Sequence, residues 1–216
     1  MLVHIPKAIA DSDLVLVRAA IARGTFERMA GDARADGPLR LSGPDDVLAA
    51  ARGALAVALQ NHPHFAAAAC PSALVTPVFY RYEPGMGYAD HIDPAMMGGS
   101  PTIRCDIAAT VCLDDGALHE GGELVIDADG VPVRWKGQAG DCLLYPPNVL
   151  HRVENVRSGV RCVAVLWIQS LVADPERRRV LFDLVRVLEL AQEQSLAGPH
   201  VEKLRRGYFN LLRSWT

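Results

Sequence analysis

The sequence predicts an α+β chain in which helices at both ends flank an antiparallel β core. Two observations carry the prediction. Apolar residues recur at helical spacing near the amino terminus and again beyond Asp174. Between them, short runs rich in Val, Ile, Leu and Tyr alternate with Gly, Pro and Asp turn signals. The chain is therefore read as an N-terminal helical region over 1–74, a β core over 75–170 and C-terminal helices over 171–216. It shows neither an internal repeat nor a low-complexity linker.

Taken in order, Asp11 or Ser12 is placed to cap a first helix whose Leu14, Val17, Ala20 and Ile21 share a face before Gly24. Met29 to Gly43 is polar and rich in Gly, Asp and Arg, so a loop is expected. Pro44, Asp45 and Asp46 start a second helix that runs through Leu55 and Leu59. Strands are expected at 75–82, 103–113, 121–127 and 131–136. Gly140-Asp141 signals a turn, and Cys142 to Tyr145 reads as a short buried strand stopped by Pro146-Pro147. Leu150–Val156 and Val160–Ser170 follow as strands. Their connection, Arg157-Ser158-Gly159, predicts a hairpin with a bulge. Pairing Val156 with Val160 puts His151, Val153 and Asn155 on one face with Arg161, Val163, Val165 and Trp167. Asp174 with Pro175 opens a long helix bearing Leu181, Leu184, Val185 and Leu188. After Gly198-Pro199, a last helix carries Leu204, Tyr208, Leu211, Leu212 and Trp215.

The chain has 216 residues and a net charge of −3, with a pI near 6.1. That length suits one substantial core, and that charge argues against a nucleic-acid surface. The 5 Cys lack C-x-x-C spacing, and Cys105, Cys142 and Cys162 read as small buried hydrophobes in strands. No basic and apolar leader is evident at the amino terminus, and no apolar run approaches the ~20 residues of a membrane span. A cytoplasmic protein with no membrane partner is the expectation.

The pattern that bears chemistry is His91-Ile92-Asp93, then His151, then Arg161. Two imidazoles and one carboxylate are the protein ligands of a non-haem Fe(II) centre that keeps other coordination positions open. The arginine fits the far carboxylate of a dicarboxylate co-substrate. In the expected register it stands about 13 Å along the strand from His151. If 88–93 is extended, His91 and Asp93 share one face, Ile92 takes the other, and Pro94 ends the pairing. His-x-Asp alone arises readily by chance; the ordered set gives it weight.

Around these residues run Tyr82-Glu83-Pro84-Gly85-Met86-Gly87-Tyr88, Gly121-Gly122-Glu123-Leu124, Leu144-Tyr145-Pro146 and Trp167-Ile168-Gln169-Ser170. Arg177 to Asp183 and the closing Gly207 to Trp215 complete the series. Together they resemble the Fe(II)- and 2-oxoglutarate-dependent dioxygenases, and more closely the bacterial PKHD-type hydroxylases, over most of the chain. The resemblance implies a double-stranded β-helix, a jelly-roll, cupin-like barrel, as the core. It implies that His91, Asp93 and His151 hold Fe(II). Arg161 would bind the distal carboxylate of 2-oxoglutarate as a charge-assisted, bidentate pair, with Tyr82 adding a hydrogen bond. It further implies hydroxylation of an unactivated C–H bond in an amino-acid-like small molecule or a protein residue. O₂ and 2-oxoglutarate would be consumed, succinate and CO₂ released, and L-ascorbate would serve as reductant. Arg34 to Leu41 departs from the family pattern, so different substrate contacts are expected there.

Two other classes share parts of the pattern. One is a cupin-like metal enzyme that does not use 2-oxoglutarate, for which Arg161 is dispensable. The other is a catalytically silent β-barrel binding module, which the intact triad disfavours. Outside the set, His62, His64 and His119 are expected at the surface, Arg177–Arg179 on a solvated helix face, and Asp90 and Asp106 in solvated or turn-capping roles. Asp93 to Ser100, with Met96 and Met97, is expected to form an adaptable apolar wall beside the metal, and the 29–43 loop to share in substrate selection. The C-terminal helices offer a surface for a homo-oligomer.

Overall fold

A computed structural model describes residues 1–28, 36–99 and 102–216. Residues 29–35 of the expected 29–43 loop, which include the start of the divergent Arg34–Leu41 stretch, and Ser100 therefore lie outside the described residues. The chain begins with β1 (Val3–Ile5), α1 (Asp11–Ile21), β2 (Thr25–Arg28) and β3 (Leu39–Ser42). Helices α2 (Asp45–Asn61) and α3 (Pro63–Ala69) precede β4 (Pro71–Leu74), β5 (Val78–Tyr82) and β6 (Tyr88–His91). Next come β7 (Met96–Met97), β8 (Ile103–Arg104), β9 (Ile107–Cys112), β10 (His119–Gly121), β11 (Leu124–Ala128) and β12 (Val131–Trp135). Strands β13 (Cys142–Tyr145), β14 (His151–Val153), β15 (Val156–Gly159) and β16 (Arg161–Ser170) complete the core. Helices α4 (Pro175–Glu193) and α5 (Pro199–Trp215) end the chain.

The strands form a large sheet ordered β1-β13-β9-β16-β5-β3-β2, with β4 also on β16, and a small sheet ordered β12-β11-β14-β6. Two ribbons, β10·β15 and β7·β8, bridge the ends. Alternation along the strands sets the layers. Ala164, Leu166 and Ile168 of β16 join Ala109 and Val111 of β9 in a core with Leu14 and Val17 of α1, Leu55 and Leu59 of α2, and Phe65 of α3. The alternate residues turn the other way: Ala108, Leu143, Tyr145 and Trp167 pack with Leu124 and Ile126 of the small sheet. The result is an α+β molecule, a double-stranded β-helix whose larger sheet carries helices on its outer face.

Several expectations change. No hairpin joins Leu150–Val156 to Val160–Ser170. Instead β14 pairs with β11 and β6, β15 pairs with β10, and β16 pairs with β5, β9 and β4. Burial explains this: β16 is apolar on both faces, so it belongs in a sheet covered on both sides, which the small sheet is not. The polar stretch before Gly43 ends in β3, an edge-side strand pairing with β2 and β5. The expected 75–82 strand is shorter, starting at Val78, and β1, β4 and α3 were not anticipated. At α1 the cap position falls on Ala10, with no side-chain cap. Asp11 and Asp13 instead sit in the first turn, where the helix dipole favours them. The start of α4 is as expected: Asp174 Oδ1 accepts from the Glu176 and Arg177 N–H groups, with Pro175 at the first position.

His119 and Arg178 are buried, at 6% and 5% exposure, not solvated. Arg178 donates to the Val172 and Ala173 carbonyls at 2.7 and 2.8 Å, closing the turn from β16 into α4. No helix among the described residues is long and apolar enough to cross a membrane. The helical layer can be tested apart from the barrel. Leu55 is fully buried under α2, so Leu55→Ala is expected to cost about 2–5 kcal/mol in denaturant unfolding. The affinity for Fe(II) expected of His91, Asp93 and His151, which lie on or beside the small sheet away from this layer, should stay as in the wild type.

Candidate metal centre

Strands β6 and β14 approach closely because residue 87 is glycine. A Cβ there would lie 2.2 Å from Asn155 Oδ1 and 2.8 Å from the Val153 carbonyl. In this pairing His91 stands opposite His151, with ring centroids 4.1 Å apart. Asp93 lies just past the end of β6, not within it. Its N–H donates to the Pro147 carbonyl at 2.9 Å, which ties it to the segment leading into His151. Its Oδ1 is 3.7 Å from His91 Nε2, and its Oδ2 is 3.8 Å from His151 Nε2. These gaps are too long for hydrogen bonds. One donor atom from each residue falls within 4.8 Å of the others.

The remaining ring nitrogens are committed elsewhere. His91 Nδ1 bonds the Ala89 carbonyl, and His151 Nδ1 the Val149 carbonyl, each at 2.9 Å. A carbonyl only accepts, so each Nδ1 carries the proton and each Nε2 turns a lone pair inward. Burial pushes the His151 imidazole below the usual histidine range, and the neighbouring His91 pushes the same way. The neutral ring is the form that ligates metal. Asp93 Oδ2 is buried with no hydrogen-bond partner among the described residues. Such an oxygen is costly unless a cation meets it. Two imidazoles with Nε2 facing inward and one carboxylate with an unmet oxygen fit an Fe(II) ion.

The triad lines a cavity of about 370 Å³ between the two sheets, together with Arg161 and Tyr82. All five residues singled out in the sequence thus meet in one place. Arg161 opens β16 directly opposite Tyr82 of β5, with its guanidinium carbon 4.9 Å from the Tyr82 ring centroid. It is 5% exposed, and its Nη1 has no acceptor. Burial pushes the Tyr82 phenol up to about 12 despite the opposing pull of Arg161, so the phenol stays neutral.

Further lining comes from Tyr80, Tyr88, Thr110, Tyr145 and Trp167, which the sequence reading did not nominate. The signal was partly present: Tyr80 shares the face of Tyr82, and Trp167 that of Arg161. Tyr145, whose phenol burial pushes upward, lies 3.4 Å from Thr110 Oγ1 and looked like plain core. Of the two methionines, Met97 lines the cavity and Met96 is 54% exposed outside it. Asp90 pairs with Arg152 at 3.4 Å, away from the cavity. Asp106 accepts from Arg104 and from the Ser170 N–H, a structural role. A larger crevice of about 720 Å³ between β1 and α4 contains none of the five residues.

Residues 77–169 match the 2OG-Fe(II) oxygenase superfamily. A PKHD-type hydroxylase of Hyphomonas neptunium is 36% identical over 226 residues, covering 100% of this chain and 99% of its own. Another, of Klebsiella pneumoniae subsp. pneumoniae, is 42% identical over 160 residues, covering 73% of this chain and 71% of its own. Among solved structures, a Pseudomonas putida prolyl-4-hydroxylase superposes with a TM-score of 0.53 at 19% identity, covering 78% of this chain and 92% of that one. That last likeness speaks for the fold alone. The whole-length identity speaks for more: this chain belongs to the PKHD-type hydroxylases of the 2OG-Fe(II) oxygenase superfamily.

Proposed function

We propose that the chain is an Fe(II)- and 2-oxoglutarate-dependent hydroxylase in which His91, Asp93 and His151 hold the iron and Arg161 receives the distal carboxylate of 2-oxoglutarate. One observation carries the reading: a single cavity presents the converging triad and a buried guanidinium with an unpartnered Nη1. Fe(II), 2-oxoglutarate and O₂, bound there, supply oxidation of an unactivated C–H bond, with release of succinate and CO₂. L-Ascorbate is the proposed external reductant.

The chain's own groups bind and orient. The carbonyls of Ala89 and Val149 fix the two imidazoles with Nε2 inward. The planar fork of Arg161 matches a carboxylate in a bidentate pair, and neutral Tyr82 is a second donor beside it. Charged lining is confined to the triad and Arg161; the other walls are aromatic, aliphatic or hydroxyl-bearing. Such walls suit an uncharged, C–H-bearing group of an amino-acid-like molecule or a protein residue.

Three outcomes are expected. Anaerobic Fe(II) with 2-oxoglutarate should give a weak visible charge-transfer band that His151→Ala abolishes. Iron bound without a band points to a metal enzyme that does not use 2-oxoglutarate, and no iron at all to a silent barrel. Arg161→Ala should weaken 2-oxoglutarate by about 10- to 100-fold, the loss of a charge-assisted pair, in titrations of the same band. Met97→Ala should change substrate-dependent succinate formation while sparing iron affinity; Met96→Ala should change neither. Equal succinate yields from wild type and Met97→Ala would remove that methionine from substrate contact.

A further inference from the structure

Arg161 is a long side chain at the start of a strand, and its guanidinium must be fixed to be selective. The Tyr82 ring covers one side of it. The Arg161 methylene chain meets the backbone at Gly122, at the end of the β10·β15 ribbon, which is assembled from unusually close approaches. At Gly159, φ +75°, a Cβ would stand 2.3 Å from the Leu118 carbonyl and 2.8 Å from His119 Cα. Gly122, just past β10 at φ +69°, is the decisive position. A Cβ there would lie 3.0 Å from both Arg161 Cδ and Val156 Cγ2, and 3.2 Å from His119 Cε1. The Arg161 methylene chain, Val156 and the His119 ring therefore close around bare backbone.

His119 is a buried titratable group that the mechanism above leaves unused. It is 6% exposed, and its Nδ1 donates to the Gly121 carbonyl at 3.0 Å, which locks the ring to the ribbon. Its own carbonyl accepts from Lys136 Nζ. Burial, reinforced by the Lys136 cation, pushes the imidazole below its usual range. A neutral ring fills the space without repelling the guanidinium.

We propose that Gly122 and His119 are positioning residues for Arg161. The ribbon holds the guanidinium where a 2-oxo acid at the metal presents its second carboxylate, and so selects a dicarboxylate co-substrate. This rests on the role proposed above for Arg161. Gly122→Ala drives a methyl group against Arg161 Cδ at a φ that L-residues resist. His119→Ala removes a wall without a clash, and His119→Phe restores a ring.

The test is calorimetric titration of the Mn(II)-loaded protein with 2-oxoglutarate and with pyruvate, a 2-oxo acid lacking the second carboxylate. Gly122→Ala is expected to weaken 2-oxoglutarate by about tenfold and His119→Ala severalfold, as a charge-assisted pair loses its geometry. His119→Phe should recover most of the loss, and pyruvate should bind all variants like the wild type. Unchanged 2-oxoglutarate affinity in both variants overturns the proposal. So does an equal loss for pyruvate, which marks general damage to the fold. If circular dichroism shows Gly122→Ala unfolded, the His119 pair decides alone. A wild type that binds 2-oxoglutarate no better than pyruvate sinks the role of Arg161 itself and takes the proposal with it, a failure distinct from the other two.

Discussion

A carboxylate oxygen buried without a hydrogen-bond donor, between two imidazoles whose protons point away, is the constraint on which this structure turns. Asp93 has a side chain only 5% exposed and an Oδ2 with no partner. Burying a charge in that state costs several kcal/mol unless an opposite charge arrives. The surrounding backbone does not relax to meet it. The β6·β14 pairing fixes His91 against His151, and the Asp93 N–H is held by Pro147. The site is thus held open to a cation by the same hydrogen bonds that build the small sheet.

The large sheet supplies rigidity in the complementary direction. On β16, one face carries Ala164, Leu166 and Ile168 into the helical core, while the other carries Arg161, Val165 and Trp167 to the cavity. A strand packed on both faces has little freedom to shift by a fraction of a residue. The guanidinium at its head therefore keeps its distance from the His91–Asp93–His151 triad across the cavity. Groups set on strands are held more precisely than groups on loops, and Arg161, His91 and His151 all sit on strands.

Much of this was legible in the sequence, for reasons that can be named. The period of two placed Arg161 with Trp167 on one face of β16, because facing depends only on alternation; His91 and Asp93 also meet at the cavity, but Asp93 lies beyond the end of β6 and is held there by the Pro147 carbonyl. Pairing partners were not legible in the same way. Arg157-Ser158-Gly159 has the length and glycine of a hairpin connection, yet Gly159 serves a close approach to Leu118 and His119 across the ribbon. A local signal had two physical uses, and only the double-sided burial of β16 decides between them. The polar composition of the stretch before Gly43 hid β3 as loop, and His119 looked exposed because turn residues surround it. Arg178 looked solvated because a basic run on a helix usually is; instead its guanidinium turns back onto the Val172 and Ala173 carbonyls of the turn that leads into its own helix.

Among the described residues, three buried polar atoms without partners belong to residues that line this one cavity: Asp93 Oδ2, Arg161 Nη1 and Trp167 Nε1. Each such group costs on the order of 1–3 kcal/mol while unmet, and a domain of ordinary stability has only about 5–15 kcal/mol in total. The cavity therefore concentrates a sizeable fraction of the fold's stability margin in one place. Two of the three atoms sit where a cation and a carboxylate would satisfy them, so occupancy by charged ligands and stability of the barrel are linked through mass action. Trp167 lies on the same strand face as Arg161, six residues along, and a neutral acceptor suffices for its N–H. Opposite charges at two points and a neutral donor at a third are separated by walls that are aromatic and aliphatic, with hydroxyls on Tyr80, Tyr82, Tyr88, Thr110 and Tyr145.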